Sequence, residues 1–285
     1  MADAIAGNTE LGSTKQALIT SLVQKELAFN AILKNTILDV STFAVPGALS
    51  IAFPKLSSFT VVNRSEGAQG DATALTATLD TMSLNVKAYV AYIIDAVTKK
   101  QANINVEMEY AKFAAAAQGR YVDSQIIAAL ASGAASFINV GAEVDVTYAN
   151  LLTMRKNLMK ADAVMANCSI VASPAQEAVL FGLDEFKRAD VYGQGNIPTG
   201  VIGSILGMPV YVHNGLADKE LYMFEKSGLA IGFQSAPAMA AQGANEYGVG
   251  AERVAIDQLF GIKALQTGLK GAAAGKSPLI QGLND

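Results

Sequence analysis

Residues 104–132 read INVEMEYAKFAAAAQGRYVDSQIIAALAS, with no proline and one glycine, Gly119. No other segment constrains the fold as much, because a helix of this length is a rod of roughly 40 Å at about 1.5 Å per residue. Apolar residues recur along it at helical spacing. Val122, Ile126 and Leu130 share one face, as do Met108, Ala111 and Ala115. The alanines at 114–117 let a neighbouring element pack closely, since alanine adds little radius. In a chain of 285 residues such a rod is a scaffold on which the other elements are arranged.

The segments around it fall into a definite order. Residues 13–34 predict an amphipathic helix capped by Ser13, with Leu18 and Leu22, and Ile19, Val23 and Leu27, at three- and four-residue spacing. Such a helix must dock its stripe, on its own domain or on a neighbour. Residues 50–63 are extended, and Pro54 forbids a continuous central strand there. Residues 78–90 alternate as a half-buried strand. Met82, Leu84, Val86, Ala88 and Val90 face one way, and Ser83, Asn85, Lys87 and Tyr89 the other. Between these two stretches, residues 64–77 have little to bury. The result is a long two-stranded excursion, marginal alone in water, which needs something to rest on; another copy of the chain would serve.

Beyond the rod, residues 147–160 predict a second amphipathic helix with Leu151, Leu152, Met154 and Leu158 as its apolar members. A strand at 169–173 leads to a short helix at 174–183, with Pro174 in its first turn. A Gly/Pro-rich loop at 190–200 follows, then strands within 202–212, 221–224, 230–233 and 254–266, and a loose tail from 268. No internal repeat interrupts this order. The expected class is α+β, one unit with connected subdomains.

Composition narrows the function. Only 16% of residues are charged, where about 25% is usual, and the mean hydropathy is +0.30. No membrane span accounts for this. The longest charge-free stretches, such as 124–142, are broken by Gly, Ser, Gln and Asn short of the roughly 18 apolar residues a span requires. Apolar surface hidden by other subunits is the expected explanation. One histidine, His213, and one cysteine, Cys168, leave a zinc site only if it is nearly all carboxylate. An internal disulfide is impossible, which suits a reducing cytoplasm. The opening residues have no signal-peptide pattern. A net charge of −4, with no Lys/Arg run longer than two, leaves no footprint for nucleic-acid binding.

Catalytic motifs fare no better. At 271–277, GAAAGKS imitates a phosphate-cradling loop, but the first position of that pattern is Lys270 and Pro278 follows Ser277. Cys168 and His213 flank predicted strands and could pair, yet no glycine-rich elbow or oxyanion-hole sequence accompanies them. Glu107 and Glu109 diverge on a helix, and Asp184 and Glu185 sit in an ordinary solvated cluster with Lys187 and Arg188. No catalytic, cofactor or metal site is expected, and the chain does not read as an enzyme.

An N-terminal helical arm, a long strand–loop–strand excursion, a long spine helix and a mixed apical subdomain resemble, in that order, the major capsid protein of tailed bacteriophages. That family has the Hong-Kong-97-type fold, shared with encapsulin shells. Locally, SIVASPAQEAVL at 169–180 is similar to the family's strand-then-helix lead into the apical domain. GSILGMPVYVHN at 203–214 is similar to its glycine-then-strand element, and IDQLFGIKAL at 256–265 to its closing strand.

The resemblance implies an arm over 1–49, an extended loop over 50–90 and a peripheral domain with the spine helix over 91–161. An apical domain over 162–250 and a return strand with tail over 251–285 complete it. It also implies hexamers and pentamers of an icosahedral virion shell, assembled in the host cytoplasm around a DNA genome held without specific binding. A separate scaffolding protein and a portal protein would be partners, with no membrane involved. Assembly-interface candidates are Leu18, Leu22 and Leu27 on the arm, Arg64 and Glu66 at the excursion tip, and Tyr192 and Asn196 in the apical loop. An encapsulin-like compartment is the alternative; a carboxylate hydrolase or a tail protein would be further from the pattern.

Overall fold

The computed structural model describes residues 31–56, 77–94, 106–133, 135–136, 145–183, 201–218, 220–244, 250–265 and 281–283. In chain order the first strands are β1 (Leu38–Asp39), β2 (Ser50–Leu56), β3 (Ala77–Ser83) and β4 (Val86–Ile94). The spine helix α1 (Val106–Gly133) follows, then β5 (Ala135–Ser136), α2 (Tyr148–Lys160), β6 (Cys168–Ala172) and α3 (Pro174–Gly182). The chain continues through β7 (Val201–Ile205), β8 (Met208–Val212), β9 (Leu221–Glu225), β10 (Leu229–Gly243), β11 (Glu252–Ala264) and β12 (Gln281–Leu283).

These strands form three sheets. One has the order β1-β10-β11-β4, one the order β5-β12-β9-β6-β8-β7, and β2 and β3 pair as a ribbon. The spine helix packs against the two larger ones. In its first half, Ala111, Ala114 and Ala115 lie on Ile256 of β11, flanked by Val90 and Tyr92 of β4. Small side chains there bring rod and sheet close together. In its second half, Val122, Ile126, Ile127 and Leu130 fill a core with Ala88, Leu229, Ile231 and Phe260 from the four-stranded sheet. Val171, Tyr222 and Phe224 of the six-stranded sheet enter the same core. Met108 departs from the expected face, at 38% exposure.

Strand alternation divides the six-stranded sheet between two cores. Tyr222 and Phe224 of β9 face the spine helix, whereas Leu221 and Met223 face Leu151, Met154 and Leu158 of α2 and Leu180 of α3. All five residues of β6, and all five of β9, are buried, as a sheet covered on both faces requires. Both covering helices start on side-chain caps. Thr147 Oγ1 accepts from Asn150 N at 3.3 Å, and Ser173 Oγ accepts from Gln176 N at 3.3 Å, with Pro174 opening α3. The buried Gln176 side chain then accepts from Val146 N at 3.1 Å and ties the two helices together.

Four further expectations change. The stretch 78–90 is two strands, because β3 pairs with β2 and β4 pairs with β11. Met82, Leu84, Val86, Ala88 and Val90 therefore do not face one way: Met82 and Leu84 enter the ribbon's core, whereas Val86 and Ala88 pack on the spine-helix side. Leu152 of α2 is 43% exposed, outside the stripe formed by Leu151, Met154 and Leu158. β10 extends ten residues past 233 to Gly243, with register shifts between Phe233 and Ala238 that accommodate Pro237. In the tail, Gln281–Leu283 joins the six-stranded sheet, antiparallel to β9 and parallel to β5.

Candidate functional site

The excursion is seated on the sheet by a pair of glycines. Gly232 of β10 and Gly261 of β11 are cross-strand partners, and the ribbon's root crosses directly above them. A Cβ at Gly261 would lie inside van der Waals contact of the Ser83 carbonyl oxygen. One at Gly232 would meet Met82 Cε at 3.0 Å and Ile51 Cδ1 at 3.1 Å. Ile51, Phe53, Met82 and Leu84 bury the root together with Val40, Ala44, Ala230 and Leu265. At the ribbon's flank Lys263 Nζ pairs with Asp80 and donates to Thr81 O at 2.7 Å.

The ribbon is thus bonded at its base, and Leu79, further out, is 71% exposed. Gly261→Ala should cost the subunit about 1–3 kcal/mol, because the Ser83 backbone has no rotamer with which to retreat. Denaturant titration checks this, and an unchanged midpoint would mean that the ribbon root shifts freely.

Two further surfaces are apolar and open. On the sheet face shared with the ribbon, Ala91, Ala255, Ala240 and Ala238 run outward beside Tyr89 and Ile93, and Arg253 donates to the Tyr89 hydroxyl at 2.9 Å. Along the outer side of the spine helix, Tyr110, Phe113, Ala117 and Tyr121 are exposed, Phe113 at 70%. A helix that is apolar on its outer as well as its inner side belongs in a larger packed body.

A buried polar junction joins three parts of the chain. Asp123, midway along the spine helix, is fully buried. Its carboxylate accepts from Ile32 N at 3.0 Å and from Leu33 N at 3.2 Å. These are free donors of the single helical turn Leu33–Thr36, whose preceding residue Ile32 offers no capping side chain. His213, just past β8, places Nε2 at 3.5 Å from the Asp123 oxygen that Ile32 also uses. Nδ1 of the same ring accepts from Gly215 N at 2.9 Å. Glu220 closes the rest of that turn, accepting from Ala217 N at 3.0 Å and from the Tyr222 hydroxyl at 3.2 Å.

The residues weighed for chemistry are engaged structurally. Cys168 is buried in the core under α2 and lies 3.5 Å from Val164 O, while His213 serves the Asp123 junction. Burial, aided by the Glu225 charge, pushes the Cys168 thiol up to about 12. The folded state therefore holds this proton where the unfolded chain would release it. Its contribution to stability is complete below the ordinary thiol range near 9 and is lost as pH rises toward 12.

At pH 8 the native thiol should react with a thiol reagent on the order of a thousandfold more slowly than in denaturant. Equal rates in the two conditions would place Cys168 on the surface. Glu109 pairs with Lys112 at 2.9 Å. Among the described residues no three His, Cys, Asp or Glu side chains gather as metal ligands, and no helix is long and apolar enough to cross a membrane. The GAAAGKS segment, Asp184 and Glu185, and the interface candidates Leu18, Leu22, Leu27, Arg64, Glu66, Tyr192 and Asn196 lie outside the described residues.

The Asp123 junction had no signal in local sequence, and the glycine seat had only a faint one. Gly232 and Gly261 are ordinary strand glycines until the ribbon is known to cross them, and Asp123 binds residues some ninety positions away. Isolated glycine in a strand marks a close backbone approach, and that cue could have flagged Gly261.

Comparison with known proteins bears on this architecture. A phage capsid protein family matches residues 44–249, well over half of the chain. No curated protein sequence matches. Among solved structures, a chain of Mycobacterium phage Che8 superposes with a TM-score of 0.69 at 18% identity, covering 89% of this chain and 91% of that one. A chain from the capsid of cyanophage P-SCSP1u gives 0.66 at 13% identity, covering 89% and 87%. One from the capsid of a native GTA particle gives 0.61 at 12% identity, covering 89% of each.

Proposed function

The chain belongs to the phage capsid protein family and is a non-enzymatic major capsid shell protein of the virion, and on that premise we propose that its copies form the hexamers and pentamers of an icosahedral shell around a packaged DNA genome. The observation that carries this reading is surface. Among the described residues, large apolar side chains stand exposed on the ribbon (Leu79), on the sheet (Tyr89 and Ile93) and along the spine helix (Tyr110, Phe113 and Tyr121). Apolar surface spread over three elements matches extensive obligate interfaces rather than a free monomer.

One interface used head to tail closes rings, and rings of five and six close a shell. The ribbon, rooted on its own sheet and open beyond, would supply one half of that interface by lying over a neighbour. The interface candidates Leu18, Leu22 and Leu27 would act from the arm, Arg64 and Glu66 from the ribbon tip, and Tyr192 and Asn196 at the capsomer centre. The peripheral domain would span 91–161 with the spine helix and α2, the apical domain 162–250 with α3, and 251–285 would supply the return strand and tail. Assembly would take place in the host cytoplasm with a separate scaffolding protein and a portal protein. A net charge of −4 suits a shell that encloses DNA without gripping it.

The test is electron microscopy with light scattering of the purified protein, alone and with the candidate scaffolding protein. Closed shells or capsomer rings are expected, with DNA in particles from infected cells. A monomer under every condition would overturn the assembly reading, and protein cargo in place of DNA would favour a compartment shell.

A further inference from the structure

We propose that Asp123 is a shared latch, coupling the root of the N-terminal arm to the apical turn after β8, so that loosening either partner loosens the other. The geometry gives the reason. One carboxylate oxygen accepts from Ile32 N and lies 3.5 Å from His213 Nε2, and the other accepts from Leu33 N. Because Nδ1 of His213 accepts the Gly215 N–H, the neutral ring carries its proton on Nε2, facing the carboxylate.

A carboxylate with no solvent contact depends on these donors, since a buried charge short of hydrogen bonds is costly. Losing His213 therefore removes the one side-chain polar group placed against the oxygen that holds Ile32, among the described residues. Conversely, losing the arm root frees that oxygen and slackens the hold on His213. The coupling is reciprocal by linkage. Leu33 and Ile37 carry it into the core, where they pack with Val122, Ile126 and Leu216. The turn Leu33–Thr36 is thus held by a residue of the spine helix that also faces the turn after β8. Rearranging one during shell formation would release the other.

This inference takes residues 1–49 as the arm of the capsid reading, but its test uses unassembled subunits, so failure to form shells does not bear on it. Full-length protein is digested with trypsin, and cleavage after Lys34, which lies in the helical turn held by Asp123, is followed by mass spectrometry. Reactivity of Cys168 reports global unfolding in parallel. His213→Ala should raise cleavage after Lys34 about fivefold or more, with Cys168 still protected. His213→Gln, whose amide can donate to Asp123, should restore much of the protection. Asp123→Asn combined with His213→Ala should cleave no faster than Asp123→Asn alone, as a shared oxygen demands. Unchanged cleavage in His213→Ala, or additive effects in the double variant, would show two independent contacts and overturn the latch. Should Asp123→Asn fail to fold, the Ala–Gln comparison at His213 decides the matter alone.

Discussion

Glutamate in place of Ala115 lowers subunit stability by about 3–5 kcal/mol, whereas the same change two residues on, at Ala117, shifts it by about 0.5 kcal/mol or less. The contrast follows from the two faces of one helix. Ala115 has no exposed surface and lies with Ala111 and Ala114 against Ile256 of β11, while Ala117 points away from the sheet. One turn further, the Gln118 amide already donates to Ile256 O at 3.1 Å, so the nearest polar donor is taken. A glutamate at 115 must either bury an unpaired charge or lift the helix from β11. Lifting it would disturb the core of Val122, Ile126 and Phe260 as well. Urea titration of both variants reads the difference, and equal midpoints would mean that the alanine run faces solvent.

The same helix shows how far sequence reasoning reaches. Its length, its alanine face and the stripe of Val122, Ile126 and Leu130 follow from 3.6-residue periodicity, which is local information. Likewise, alternation identified the more buried members of 82–90, and Ser173 with Pro174 marked the start of α3. Local pattern could not show that Leu84 and Ala88 serve different cores. Alternation records only that a side chain points inward, not which layer lies there.

Low β-propensity hid the second half of β10, QSAPAMAAQG, where small residues, a proline and a glycine hold strand geometry only because β11 pairs alongside. The Asp123 junction was hidden for the opposite reason. A lone aspartate in a helix reads as solvated, and its burial depends on donors contributed from positions 32, 33 and 213. The residues assigned to assembly were inferred from the order of elements, a global pattern that names segments better than side chains.

Replacing residues 64–76 by a short glycine–serine link should leave the subunit folded and all but abolish closed shells. The root of the ribbon carries its own stability. Ile51, Phe53, Met82 and Leu84 are buried over the Gly232–Gly261 seat, and Lys263 fastens the flank to Asp80 and Thr81. None of these contacts involves the removed residues, so the thermal midpoint of the subunit should move little. Assembly is different because each copy would present the same tip to its neighbour.

A tip contact of only about 1.4 kcal/mol changes each association tenfold. That factor recurs at every step of building a ring and then a shell, so a modest pairwise loss becomes a near-complete failure to close. Light scattering at matched concentrations should find subunits, and at most single rings, where the parent protein forms particles. Loss of folding in the shortened chain would place part of the subunit's own core in the tip. Shells of normal yield would remove the ribbon from the interface and shift attention to the exposed stripe of Tyr110, Phe113 and Tyr121 on the spine helix.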